Sequence, residues 1–306
     1  MSSLFAFPGQ GAQQVGMLHC LPEGSSDLLE AASEALGEQV LTLDSAEALR
    51  HTRAVQLCLL LTGVAWARWL MRRSPAPEYV AGLSIGAYAA AVTADALALE
   101  DAVRMVSLRG ELMQQAYPTG YGMTALSGLD LPSVERLLEA VGGEVYLANL
   151  NSDNQIVIAG SDAAMTAVAA RARSLGQGVA RRLAVSVPSH CPLLAAPAAT
   201  LAAAFCEVQL RRPRITYLSG STARPIFDPA RLRDDLAGNM ARIVDWRATL
   251  RGAWERGVRL HLELPPGSVL TGLARRVFEP GKVLSVESTR ADSIDALLRQ
   301  EVADNR

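Results

Sequence analysis

Apolar and polar positions along this chain follow two rhythms. Short apolar runs at Leu4–Phe7, Tyr79–Ala81, Ile215–Ser219 and Val258–Leu264 are bounded by glycine, proline or serine and read as buried strands. Stretches at Ser26–Leu36, Thr52–Met71, Ala87–Ala94 and Glu100–Ala116 repeat apolar residues at helical spacing and read as helices. Strands alternating with helices predict an α/β architecture around a parallel sheet.

Between Met123 and Val187 the pattern changes. Strands at Met123–Ser127, Glu144–Asn149, Gln155–Ala159 and Val179–Val185 are interleaved with helices at Leu131–Val141 and from Ser161-Asp162 to Leu175. The order is β-α-β-β-α-β, that of a ferredoxin-like unit. Its loop-like ends, Gly120-Tyr121-Gly122 and Pro188, predict a small subdomain, 122–187, inserted into a large one made of 1–121 and 188–306.

The most informative segment is Tyr79-Val80-Ala81-Gly82-Leu83-Ser84-Ile85-Gly86-Ala87-Tyr88, an apolar strand running through Gly-x-Ser-x-Gly into an alanine-rich helix. A serine displayed on a strained strand-to-helix turn needs glycines two residues to either side, because side chains there would block the turn. The helix behind it offers free N–H groups and the positive end of its dipole. Ser84 is therefore a candidate nucleophile and the Ile85 N–H a candidate oxyanion donor; an ordinary glycine-lined turn is the alternative.

Length and composition restrict what such a site serves. With 306 residues, half of them hydrophobic, the chain has enough material for a large core. A net charge of -2 gives no electrostatic case for nucleic acid or an anionic membrane. The N-terminal Met1–Phe7 lacks the basic region of a signal peptide, and the apolar helix around Val55–Leu70 carries Gln56 and Arg68 and reads as too short and polar to cross a bilayer. Cys20, Cys58, Cys191 and Cys206 are irregularly spaced with no C-x-x-C pair, which disfavours disulfides and zinc and fits a reducing cytoplasm.

A serine needs a base within hydrogen-bond reach. Of the four histidines, His190 follows a strand end and lies between Pro188 and Pro192, where α/β folds present their chemistry. His261 lies mid-strand and reads as packed structure, while His19 and His51 fall near helix ends and read as surface or capping residues. Arg109 pairs with Glu111 or Asp101 on its helix, or serves a site; Gly110 behind it costs about 1 kcal/mol relative to alanine, which suggests close packing there. Gln10, between Gly9 and Gly11, caps a turn or adds a second oxyanion N–H. Gly9-Gln10-Gly11 lacks the third glycine of a dinucleotide fingerprint.

Together these pieces resemble the malonyl-CoA:acyl-carrier-protein transacylases. Phe7–Met17 is similar to the family's opening motif, Gly82–Gly86 to its nucleophile segment, Arg109-Gly110 with Met113-Gln114 to its arginine helix, and Asn149–Ser152 with Gln155–Gly160 to its small-domain core. Ser186–Cys191 resembles its histidine loop and Pro266–Leu273 its C-terminal motif, so the likeness runs from about residue 4 to 275. It implies a large α/β-hydrolase-like subdomain with a nucleophile elbow and an inserted ferredoxin-like one. It also implies Ser84 as nucleophile, His190 as base, Arg109 as partner of the malonyl carboxylate, Gln10 and Ile85 as oxyanion donors, and Asn151 as a further substrate contact. A main-chain carbonyl orients the histidine in this family, and by position it falls at Asp245. No bound cofactor is implied: malonyl-CoA is a substrate, and the acceptor thiol arm belongs to a carrier protein.

The chain departs from the family pattern at Leu83 and Ala87, where histidine and glutamate are usual, and at Arg242-Ile243, where Asn-Pro is usual. Gly82–Ala90 resembles the transacylase subunit of malonate decarboxylase, which implies that enzyme's small carrier subunit as acceptor. The alternative is a general transacylase of fatty-acid or polyketide synthesis. A serine hydrolase and an inactive carrier-docking scaffold are the readings from other classes. Arg181, Arg182, Arg211, Arg212 and Arg214 flank the histidine loop in sequence and are candidates to meet an acidic carrier or CoA phosphates, with a solvated surface as the alternative.

Overall fold

The computed structural model describes residues 2–176 and 178–303. Residues 1 and 304–306, which the expected large subdomain takes in, and residue 177 of the expected small one lie outside the described residues. In chain order the strands are β1 (Ser2–Phe7), β2 (Tyr79–Gly82), β3 (Tyr121–Ser127), β4 (Val145–Ser152), β5 (Gln155–Ser161), β6 (Val179–Arg182), β7 (Thr216–Leu218), β8 (Pro225–Ile226), β9 (Val258–Glu263) and β10 (Lys282–Ser285).

Six of them form one sheet in the order β10-β9-β1-β2-β7-β8, parallel except for the antiparallel β7–β8 edge. Both faces are covered, which is why Leu4–Phe7 of β1 is a continuous apolar run and not alternating. Phe5 and Phe7 pack with Val55, Leu59 and Val103 from the helices Thr52–Arg73 and Leu99–Ala116 on one side. Leu4 and Ala6 pack on the other side with Leu250 and Leu270, from the helices Trp246–Glu255 and Val269–Ala274. Phe7 is in register with Gly82 and Ala6 with Glu263, so the chain segments leaving β1, β2 and β9 emerge side by side. Sites in such sheets form beyond these carboxyl ends.

The Thr52–Arg73 helix corrects the sequence expectation. It is 22 residues long and apolar enough, by length and composition, to cross a membrane. Its apolar window is 78% buried within the fold, which makes it the central core helix.

The second sheet, β4-β5-β3-β6, is antiparallel and is backed by the helices Leu131–Val141 and Asp162–Ser174 through Val134, Leu137, Met165 and Val168. Both helices start on side-chain caps: Asp130 accepts from the Ser133 N–H and Ser161 from the Ala164 N–H. This is the ferredoxin-like unit. β6 ends at Arg182, short of the expected Val185, because the chain then leaves the sheet to carry His190 to the larger one. Main-chain bonds from Val244 N–H to the Ala148 carbonyl (2.9 Å) and from Leu150 N–H to the Val244 carbonyl (2.8 Å) tie β4 to the segment that precedes the helix Trp246–Glu255.

Candidate active site

Ser84 occupies the turn between β2 and the helix Gly86–Thr93 with a φ of 56°, a left-handed conformation that costs a serine free energy and turns its side chain outward. The flanking glycines are steric necessities. A Cβ on Gly82 would lie 1.9 Å from the Gly86 carbonyl carbon, and one on Gly86 would lie 2.3 Å from the Phe7 carbonyl oxygen. Leu83 N–H donates to Phe7 O at 2.9 Å, which fastens the turn to the end of β1.

His190 Nε2 lies 2.8 Å from Ser84 Oγ, and Nδ1 lies 2.7 Å from the Asn239 carbonyl oxygen. A carbonyl only accepts, so Nδ1 carries the proton and Nε2 is left to accept from the serine hydroxyl. Burial, and then the Arg109 charge, push the imidazole down to about 4, so it is neutral and ready to take a proton at pH 7. His190 itself has a φ of 65°, held by its N–H donating to the Met240 carbonyl at 2.7 Å.

The carbonyl that meets His190 therefore belongs to Asn239, which corrects the expectation at Asp245. Asp245 opens the Trp246–Glu255 helix: its carboxylate accepts from the Ala248 N–H at 2.8 Å and its carbonyl from Thr249 Oγ1 at 2.8 Å. Asn239 begins the single 3₁₀ turn Asn239–Ala241 that follows the helix Pro229–Gly238. The same carbonyl closes that turn by accepting from the Arg242 N–H at 3.3 Å, and its second lone pair faces His190.

Arg109 is fully buried and has no carboxylate partner among the described residues. Glu111 pairs with Arg53 and Asp101 with Arg104, so the intrahelical pairings expected as the alternative are absent. Its Nη2 donates to Ser84 Oγ at 3.3 Å and to Asn239 Oδ1 at 3.1 Å, while Nε and Nη1 are buried without an acceptor among the described residues. Burial lowers the affinity of the guanidinium for its proton. Gly110 explains its own presence: a Cβ there would lie 2.4 Å from Arg53 Cα, so only glycine lets the two helices approach closely enough to bring Arg109 to Ser84.

Gln10 lies in the turn after β1, and a Cβ on neighbouring Gly9 would lie 2.8 Å from the Leu83 carbonyl oxygen, so this loop rests against the elbow. Neither the Gln10 nor the Ile85 main-chain N–H meets an acceptor among the described residues. Asn151 hydrogen-bonds to none of these residues among the described ones. Its Nδ2 donates to Gln155 Oε1 at 3.2 Å, and it lines a cleft of about 380 Å³ with Asp153, Arg247, Arg251 and Arg276.

Of the arginines flanking the histidine loop in sequence, three lie elsewhere in space. Arg211 and Arg214 pair with Asp95, and Arg212 lies over the Phe227 ring at 5.4 Å. Thr216 is in register with Tyr79 at the start of β2, so these residues sit at the sheet edge opposite Ser84. Arg182 pairs with Asp162, and Arg181 is exposed on β6. A loop can be adjacent in sequence and still sit at the other end of a parallel strand.

The geometry provides a hydroxyl hydrogen-bonded to a neutral base, unoccupied donors, and a buried cation with spare N–H groups beside the hydroxyl. Comparison with known proteins gives a consistent picture. The acyl transferase domain family matches residues 4–303. The malonyl CoA-acyl carrier protein transacylase of Haemophilus influenzae is 38% identical over 291 residues, covering 92% of this chain and 93% of that protein. The crystal structure of FabD from Acinetobacter baumannii superposes with a TM-score of 0.90 at 37% identity, covering 98% of this chain and 99% of that one. A malonyl-transacylase in complex with its type II PKS acyl-carrier protein superposes with a TM-score of 0.89 at 33% identity, covering 95% of this chain and 97% of that one.

Proposed function

The chain belongs to the acyl transferase domain family, and from that premise we propose that it moves a malonyl group from malonyl-CoA to the thiol arm of an acyl carrier protein through a malonyl-Ser84 ester. In the first half, Ser84 Oγ attacks the thioester carbonyl as its proton passes to His190 Nε2. The N–H groups of Gln10 and Ile85 stabilise the oxyanion; the C–S bond then breaks and the CoA sulfur takes the proton from His190. In the second half, the carrier thiol gives its proton to His190 and attacks the ester, and Ser84 Oγ recovers the proton on leaving. The Asn239 carbonyl keeps His190 in the tautomer that both halves need. Residues 122–187 act as the small subdomain and the rest of the chain as the catalytic one.

One observation carries the malonyl assignment: a fully buried arginine beside the nucleophile with donors to spare and no carboxylate partner among the described residues. A malonyl carboxylate supplies the missing anion, and a guanidinium binds it with paired hydrogen bonds. Time-resolved intact-mass analysis with malonyl-CoA tests this. A persistent malonyl adduct mapping to the Ser84 peptide is expected; rapid hydrolysis of the adduct points to a hydrolase, and no adduct to an inactive scaffold.

For the acceptor, the first reading is the carrier of fatty-acid or polyketide synthesis, supported by relatives named as acyl carrier protein transacylases and by the relative solved with a polyketide carrier. The carrier subunit of malonate decarboxylase is the second, supported by the likeness of Gly82–Ala90 and by Leu83, which packs in the apolar cluster with Val244 and Leu270 where the family usually has histidine. Competition between the two purified holo-carriers, read as kcat/KM with malonyl-CoA as donor, separates them. The described cysteines are all free, in keeping with work in a reducing cytoplasm.

A further inference from the structure

Asn239 holds the two halves of the site with two different parts of itself. Its carbonyl faces His190, as described above, and its side chain makes separate contacts. The amide is buried, with Oδ1 accepting from Arg109 Nη2 at 3.1 Å and Nδ2 donating to the Ser84 carbonyl oxygen at 3.3 Å. Arginine only donates and a carbonyl only accepts, so both amide atoms are committed and the orientation of the group follows. We propose that the Asn239 side chain is a positioning residue that sets donor selectivity: it aims Arg109 at the acyl pocket and leaves its charge unneutralised for the carboxylate of the acyl donor.

The argument rests on what an arginine in this place requires. A buried guanidinium normally recruits a carboxylate, because an isolated buried charge is costly. A carboxylate at residue 239 would satisfy Arg109 but would compete with a dicarboxylic acyl group for the same donors. A neutral amide supplies one acceptor, enough to fix the guanidinium plane, and no opposing charge. The rest of the site is consistent with this. Tyr88, over which Arg109 Cζ lies at 6.0 Å from the ring centroid, donates its hydroxyl to the Leu236 carbonyl at 2.9 Å and so presents a face without charge to the arginine. Arg109 Nε and Nη1 remain available.

This inference rests on the malonyl-transfer reading, and the test keeps the two apart. Asn239→Asp is nearly isosteric and puts a carboxylate on Arg109; Asn239→Leu removes both side-chain contacts; neither changes the main-chain carbonyl at His190. The measurement is kcat/KM for malonyl-CoA and for acetyl-CoA with a holo-carrier as acceptor. Any effect of the new charge on His190 acts on both donors and cancels in their ratio. The expected result for Asn239→Asp is a fall of at least about tenfold in the malonyl-to-acetyl ratio, most of it in the malonyl KM, the scale of one charge-assisted hydrogen bond. Asn239→Leu should shift the ratio in the same direction. An unchanged ratio in Asn239→Asp, or equal losses for both donors, overturns the proposal and leaves Asn239 as structure only. A wild-type protein that forms no malonyl-Ser84 adduct overturns the malonyl reading and this inference with it, and the wild-type arm tells that case apart.

Discussion

His190 Nε2 stands 2.8 Å from Ser84 Oγ while its Nδ1 stands 2.7 Å from the carbonyl oxygen of Asn239. A carbonyl fixes the tautomer as well as a carboxylate does, yet adds no full negative charge to stabilise the imidazolium. The base is therefore weaker than one backed by an aspartate, and the positive Arg109 weakens it further. On the proposed reading, a malonyl carboxylate bound at Arg109 would offset that charge and make His190 a stronger base.

Ser84→Ala should abolish the malonyl adduct in intact-mass spectra while the circular dichroism spectrum stays that of the wild type. His190→Ala should slow acylation by about 10²–10⁴-fold, the range of general-base assistance. Adduct on Cys191 or Ser189 in peptide mapping would refute the assignment of Ser84.

The acylation rate should vary little with pH down to about pH 5.5 and fall below about pH 5, because a base must be neutral to accept a proton and His190 is pushed down to about 4. Single-turnover acylation at malonyl-CoA far below saturation, which reports the free enzyme, is the measurement across this range. A limb centred near pH 6.5 would show that neither burial nor Arg109 depresses this histidine.

Arg109→Ala should lower malonyl transfer by about 10–100-fold for each charge-assisted hydrogen bond lost. Acetyl transfer, which offers no carboxylate, should fall much less. Equal loss for both donors would reduce Arg109 to a structural role.

Gly110→Ala should destabilise the fold by about 1–3 kcal/mol through overpacking, since its Cβ would meet Arg53 Cα at 2.4 Å. The same displacement moves Arg109, so malonyl transfer should suffer more than acetyl transfer. Urea midpoints and both kcat/KM values check this pair of effects; a neutral urea midpoint would mean that the two helices are not held at the observed distance.

His261→Leu should flatten the acid limb of stability. This histidine is fully buried on β9 beside Phe278, neither ring nitrogen has a partner among the described residues, and desolvation pushes it down to about 4 from an ordinary 6.5. Its folded form stays neutral while the unfolded chain takes up a proton, so stability is full above about 6.5 and lost as pH falls towards 4. At pH 5 the loss for this one group is about 2 kcal/mol. Thermal or urea unfolding at pH 7 and pH 5 should show a smaller drop in the leucine variant than in the wild type, and an equal drop would refute the idea.

The features legible in the chain alone are those whose causes are local. Gly82 and Gly86 announce the elbow because the clashes they avoid involve atoms within a few residues or on the adjoining strand. The β-α-β-β-α-β order shows in apolar periodicity, and the start of its second helix in the capping residue Ser161. Pro188 and Pro192 mark the loop of His190, and the position of Arg109 before an unfavourable Gly110 marks a place of close packing. Tertiary structure alone decided which groups meet. Asn239, and not Asp245, reaches His190 because a 3₁₀ turn ends one helix before Asp245 opens the next. Arg109 is left without either helix carboxylate because Glu111 and Asp101 turn to Arg53 and Arg104. Arg211 and Arg214 lie opposite Ser84 because β7 runs parallel to β2. Periodicity reports which side of an element is buried; it carries no information on which distant side chain waits there, and the chemistry of this site depends on that second fact.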